Sequence, residues 1–258
     1  MDNDLLINRE KGVLSLTLNR PTKKNALNGN ISRGILNELL KAKNDNSIKV
    51  IYITGGTGDF FSSGNDFNNF LEQNPEELAN SAKNLILTIA NYPKVIVAGV
   101  NGGAIGFGLT LLLLVDFVLI SDNSFFMVPF IQTNQSPEGG STFTFPNFFG
   151  KSLSSHLLMN GGTISADDAK RTGLASHLFE KETHSKEAYN YALKLAEYPL
   201  NLLMKFKQII IRNFNEDINK AVEYEMSEIQ KLWEDPKFKD IISKMIKPKS
   251  KPSPKAKF

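Results

Sequence analysis

The order of elements along the chain predicts an α/β fold with a largely parallel sheet, and three observations carry that reading. Short β-branched apolar runs alternate with segments of helical apolar spacing, glycine-rich stretches follow several of those runs, and the last third turns almost wholly helical. Residues 5–7 and 13–18 flank Glu10-Lys-Gly12 as two short strands around a tight turn. Pro21 and the Lys23-Lys24-Asn25 cluster break the pattern, after which Ile31, Ile35, Leu36, Leu39 and Leu40 recur at helical spacing. Residues 50–53 suit a buried strand. Residues 55–70 form a long loop rich in Gly, Ser, Asn and Asp, and a loop of that length in a compact domain is more often functional than idle. A helix over 78–89, a strand over 95–100, a Gly-rich turn, an apolar helix over 109–115 and a strand over 117–120 continue the alternation. Helices follow at 153–159, 166–171, 187–198, 202–213 and 218–233, with one more strand at 176–179. This divides the chain into a sheet-containing core at 1–195, a helical C-terminal region at 196–246 and a lysine-rich tail at 247–258.

Composition removes several classes of function. The 258 residues are 41% hydrophobic and 22% charged, too apolar for a disordered chain. No cysteine is present, which excludes a disulfide scaffold, a thiolate metal site and a cysteine nucleophile. The acidic start, Met1-Asp-Asn-Asp4, has neither the basic and apolar regions of a signal peptide nor the Arg-rich start of a transit peptide. Residues 95–115 are uncharged and long enough to cross a bilayer, but Gly99, Gly102, Gly103, Gly106 and Gly108 interrupt them, so a buried strand, turn and helix are expected there and no membrane span.

Familiar catalytic motifs are also missing. Gly102 to Gly108 does not supply G-x-G-x-x-G, and no glycine run ends in Lys-Ser/Thr. Phe143 stands where a nucleophile elbow around Ser141 needs its final glycine. His156, His177 and His184 are too scattered for a metal motif, and no nucleic-acid-binding pattern appears. What remains is a carboxylate among glycines, Glu138 in Gln135-Ser-Pro-Glu-Gly-Gly140. It is either a charge complementing the dipole of a helix that starts at Ser141, or a general base whose pKa is raised by Phe125, Phe126, Phe130 and Phe143.

Three segments, Asn19-Arg-Pro-Thr-Lys-Lys-Asn-Ala-Leu27, Phe60-Phe-Ser-Ser-Gly-Asn-Asp-Phe67 and Val100-Asn-Gly-Gly-Ala-Ile-Gly-Phe-Gly108, followed by Ser136-Pro-Glu-Gly-Gly140, together resemble the crotonase (enoyl-CoA hydratase/isomerase) superfamily over nearly the whole chain. Their order and separation resemble its peroxisomal-type Δ3,Δ2-enoyl-CoA isomerases. The resemblance implies a spiral of repeated ββα units followed by a helical region. It also implies an oxyanion hole made of the backbone amides of Asn65 and Phe107, since removing a proton α to a thioester creates an enolate that needs two preorganised donors. Hydratases of the family use two glutamates at positions held here by Thr110 and Phe130, so hydration is disfavoured; the isomerase branch uses one, at the place of Glu138.

The resemblance further implies a 3-enoyl-CoA substrate bound along Lys24, Ala26, Ser63, Gly64, Asn65, Asp66, Phe67 and Gly106, although an exposed lysine such as Lys24 is more often only a solvated charge. It implies no separate cofactor, CoA being part of the substrate, and no metal. Other CoA-thioester reactions, by a dienoyl-CoA isomerase, hydratase or hydrolase, stay open, as does a non-catalytic interaction module. The family implies a homotrimer or dimer of trimers, with the C-terminal helices as interface or acyl pocket. Ala256-Lys257-Phe258 has the character of a peroxisomal address and so of an import-receptor ligand, with cytosol or mitochondrion as alternatives. Residues 237–258 carry eight lysines and one acid, so the basicity of the chain belongs to its end, past residue 246 a mobile tail is expected, and the rest is mildly acidic.

Overall fold

The computed structural model describes residues 4–246, so the tail and its terminal tripeptide lie outside the described residues. The chain opens on an antiparallel pair, β1 (Leu5–Glu10) and β2 (Val13–Leu18), followed by α1 (Gly29–Lys43). Asn28 caps α1 by accepting the Ile31 amide, and Ile31, Ile35 and Leu39 fall on its buried face. Then come β3 (Val50–Thr54), β4 (Phe60–Ser62), α2 (Asn68–Glu72), α3 (Pro75–Ala90), β5 (Val95–Val100), β6 (Gly103–Ile105), α4 (Phe107–Thr110), β7 (Phe117–Ser121), β8 (Phe125–Met127) and α5 (Ser141–Asn160). The remainder is β9 (Thr163–Ser165), α6 (Ala166–Thr172), β10 (His177–Phe179), α7 (Lys181–Glu197), α8 (Leu200–Ile211), α9 (Asn215–Glu234) and α10 (Pro236–Ile246).

Two sheets result. One has the order β1-β2-β3-β5-β7-β10, parallel from β2 onward; the other has the order β4-β6-β8-β9, with β4, β6 and β8 parallel. The pairs β3–β4, β5–β6 and β7–β8 each run from the first sheet into the second before a helix follows, which is the repeated ββα spiral. Strands β3 and β5 are buried at every position, which explains why they read as unbroken apolar runs. Their side chains alternate between two cores: Val13, Val50, Val95 and Val97 meet Ala188, Ala192 and Ala196 of α7, while Leu14, Ile51 and Ile96 share the larger core with α1, α3 and α9.

The second sheet is implied by the family resemblance, through its ββα units, but not by the apolar pattern of the residues. Its strands are three residues long, too short for a period-2 pattern to register, and two of them lie inside stretches expected to be loop or turn, 55–70 and 101–108. The helix expected over 109–115 is a four-residue α4 that tightens into a 3-10 turn, Leu111–Leu114. No described helix is long and apolar enough to cross a membrane. The histidines pack rather than cluster: buried His184 shares a hydrogen bond with the Leu119 carbonyl through Nε2, and the His177 ring stacks on Phe179. No described group of carboxylates and histidines could hold a metal ion.

Candidate active site

Because β4, β6 and β8 run parallel, their C-terminal ends emerge side by side, and the loops that leave them converge. A cavity of about 50 Å³ lies there, lined by Ser63, Gly64, Asn65 and Phe67 after β4, by Ile105, Gly106 and Phe107 after β6, and by Phe130 and Glu138 after β8. The loops interlock through backbone bonds. The Leu27 amide donates to the Gly64 carbonyl at 2.8 Å, the Asp66 amide to the Leu27 carbonyl at 3.0 Å, and the Gly106 amide to the Met127 carbonyl at 2.9 Å. The Leu27–Asn65 bridge thus leaves the Asn65 amide out of the pair. Phe107 opens α4, where an amide has no acceptor within its own helix. Gly64 lies at φ 86°, and a Cβ there would sit 2.7 Å from the Ile105 carbonyl oxygen and 3.3 Å from the Phe107 nitrogen, so only glycine lets these loops touch.

Glu138 is the only ionisable side chain in the cavity wall and is 6% exposed. Asn65 Nδ2 donates to its Oε1 at 2.9 Å. Burial pushes its carboxyl up to about 8; the Asn65 hydrogen bond pulls it down, and the charge of Glu225 pushes it up further. Of the four phenylalanines expected around it, only Phe130 lines the cavity; Phe125 packs edge-on against Phe60 and Phe143 against Phe214, because the ββα spiral carries those rings to other interfaces. Phe126 is fully buried in the main core. At the two positions where the resemblance expects the hydratase glutamates, Phe130 forms wall and Thr110 is fully buried, donating through Oγ1 to the Phe107 carbonyl.

The other anticipated binding residues divide into two places. Lys24 lies at φ 51° with its ammonium 4.8 Å from the Phe60 ring centroid, in a separate groove of about 630 Å³ lined also by Asn25 and 55–60. Ala26 and Asp66 are held by a residue not singled out in the sequence: Arg20 donates to the Ala26 carbonyl and to Asp66 Oδ2, both at 2.8 Å. Ser63 bridges the two places, its amide donating to the Lys24 carbonyl at 2.9 Å. The side chain of Asn65 and the buried Glu225 were likewise not foreseen as parts of the site. No local pattern marks either one, since their partners are 73 and 85 residues away.

The ββα spiral brings the Glu138 carboxyl and the loops after β4 and β6, with Asn65 and Phe107, to the wall of one cavity. The enoyl-CoA hydratase/isomerase family model matches residues 8–251, and the chain belongs to that family. It is 33% identical to rat enoyl-CoA delta isomerase 2 over 235 residues, covering 89% of this chain and 60% of that protein. It is 35% identical to mouse peroxisomal enoyl-CoA delta isomerase 3 over 213 residues, covering 80% and 67% of the two chains. Among solved structures, Pseudomonas aeruginosa OdaA superposes with a TM-score of 0.89 at 30% identity, covering 96% of this chain and 100% of that one. The chain thus spans about 60% of the length of the rat relative.

Proposed function

We propose that this protein is an enoyl-CoA isomerase that shifts the double bond of a 3-enoyl-CoA to give the 2-trans-enoyl-CoA, a step in the oxidation of unsaturated fatty acids. The observation that carries this reading is the carboxylate count of the cavity: among the described residues Glu138 is the only carboxylate that lines it, and the resemblance puts Thr110 and Phe130 where a water-handling pair would stand. The Glu138 carboxylate takes a proton from C2, the electron pair passes to the thioester oxygen, and the resulting dienolate is held by the Asn65 and Phe107 amides. The same carboxyl then returns the proton at C4, leaving the base unchanged and requiring no cofactor. CoA lies along Ala26 and 63–67, with Lys24 at its phosphates. Exposed Leu202, Phe206, Ile209 and Ile210 of α8 fit association into a trimer or dimer of trimers. The likeness to a mouse peroxisomal isomerase favours the peroxisome.

The test is a side-by-side assay of 3-enoyl-, 2-enoyl- and dienoyl-CoA esters. Turnover confined to 3-enoyl-CoA supports the reading, and faster hydration of 2-enoyl-CoA overturns it. Asn65→Ala keeps the backbone amide and deletes the side-chain hydrogen bond that lowers the Glu138 pKa. Its carboxyl therefore rises further, and the acid limb of the kcat/KM profile moves to higher pH, with kcat lower by about tenfold. A limb that stays in place refutes the assigned role of that side chain.

A further inference from the structure

The turn that carries Glu138 is anchored from the far end of the chain. Helix α5 begins after Gly140 at φ 73°, a cap residue without a side chain; the Ser141 and Phe143 amides turn back to the Glu138 and Gly140 carbonyls, but the Gly140 and Thr142 amides find no local acceptor. Glu225 of α9 supplies one. Its Oε2 accepts the Gly140 amide at 2.7 Å, and its Oε1 accepts the Thr142 amide at 2.8 Å and the Thr142 hydroxyl at 2.7 Å. Glu225 is 2% exposed, so these bonds replace water entirely. Two turns further along α9, Trp233 Nε1 donates to Gln135 Oε1 at 3.2 Å. The segment from Gln135 to Thr142 is therefore tied at both ends to a single helix, with Glu138 between the ties. Val222 closes the gap: a Cβ on Gly140 would lie 3.6 Å from it. The Trp233 ring also meets Phe70 of the cavity wall, centroids 5.0 Å apart.

We propose that α9 is the element that registers the catalytic turn against the oxyanion-binding loops, and that Glu225 is its positioning residue, acting on Glu138 through geometry and charge. This rests on the base assignment above. One carboxyl that must reach both C2 and C4 tolerates little displacement, and a tie to a helix buried in the main core restrains the whole turn. The charge acts in the same place. Among the described residues Glu225 is the one charge partner of Glu138; burial raises the Glu225 carboxyl too, the Thr142 and Gly140 hydrogen bonds lower it, and no described cation acts on it. The nearby charges of α9 are paired at the surface, Glu223 with Lys83 of α3, Lys220 with Glu216 and Lys231 with Glu228, while α5 turns only amides and the Thr142 hydroxyl toward it.

The experiment compares Glu225→Gln with Glu138→Gln on 3-enoyl-CoA, measuring kcat, KM and the pH profile of each. Glu225→Gln keeps the volume but loses the charge and one acceptor. The expected result is a kcat lower by about tenfold, KM within about twofold, and an acid limb moved to lower pH because the repulsion that raises the Glu138 pKa is gone. Wild-type kcat, or a lower kcat with an unmoved limb, overturns the proposal. If Glu225→Gln does not fold, Thr142→Val and Trp233→Phe each remove one tie; lower kcat at unchanged KM in both supports the proposal, and wild-type kcat in both overturns it. Near-normal turnover by Glu138→Gln overturns the base assignment and this inference together. An inactive Glu138→Gln beside a wild-type-like Glu225→Gln overturns this inference alone.

Discussion

Glu138→Gln lowers kcat on 3-enoyl-CoA by about 10³-fold and leaves KM nearly unchanged, because glutamine keeps the shape and the Asn65 contact but cannot take a proton. A second readout separates loss of chemistry from loss of fold. In the unfolded chain this carboxyl ionises near 4.5, and in the folded one near 8, so between those values the folded state binds the extra proton. Wild-type stability therefore falls as pH rises from about 4.5 to about 8 and levels off above, and the glutamine variant escapes that loss. At pH 8 to 9 the variant melts at a higher temperature than the wild type, while at pH 4 to 5 the two converge. Turnover within about tenfold of wild type would remove Glu138 from the mechanism, whatever the melting curves show.

Gly64→Ala has the other large effect. The glycine lies at φ 86° with the Ile105 carbonyl oxygen 2.7 Å and the Phe107 nitrogen 3.3 Å from the place of a Cβ, and both of those atoms are backbone, so nothing flexible can yield. The strain costs roughly 1–3 kcal/mol, and the loops after β4 and β6 are forced apart. Those loops carry the Asn65 and Phe107 amides, and a displacement of about 1 Å there lowers kcat by about 10²-fold. Gly58→Ala is the matched control: no atom lies within 4 Å of its added Cβ, and its activity and melting temperature stay at the wild-type level. Equal losses in the two variants would show that the interlock of the loops does not matter to catalysis.

How much of this was legible beforehand differs by residue. Locally Glu138 reads equally as a charge at a helix start; it stood out because other catalytic motifs are missing and because the family resemblance puts the isomerase carboxylate there, as it also marks Gly64 and Gly106. The long strands and helices of the first sheet were readable from apolar runs and helical spacing, since burial on both faces or along one stripe leaves a periodic trace. The second sheet left none, its strands being three residues long. Arg20 figures in the sequence only as a member of the 19–27 segment; its bond to Asp66 is a contact that only the fold makes. The family resemblance places Lys24 with the CoA-binding residues; that its ammonium lies over the Phe60 ring beside a groove of its own is a tertiary contact no local pattern announces.

The sequence by itself determined the α/β class, the family, the single carboxylate and the glycines that let loops approach, because each is a property of a residue and its near neighbours. Tertiary structure alone decided that Asn65 donates to Glu138, that Phe130 but not Phe125 or Phe143 lines its cavity, and that Glu225 holds the turn. The physical reason is range. Capping, chain reversal and apolar periodicity act over a few residues, whereas the pKa of Glu138 is set by desolvation and by charges that only the closed fold brings within contact.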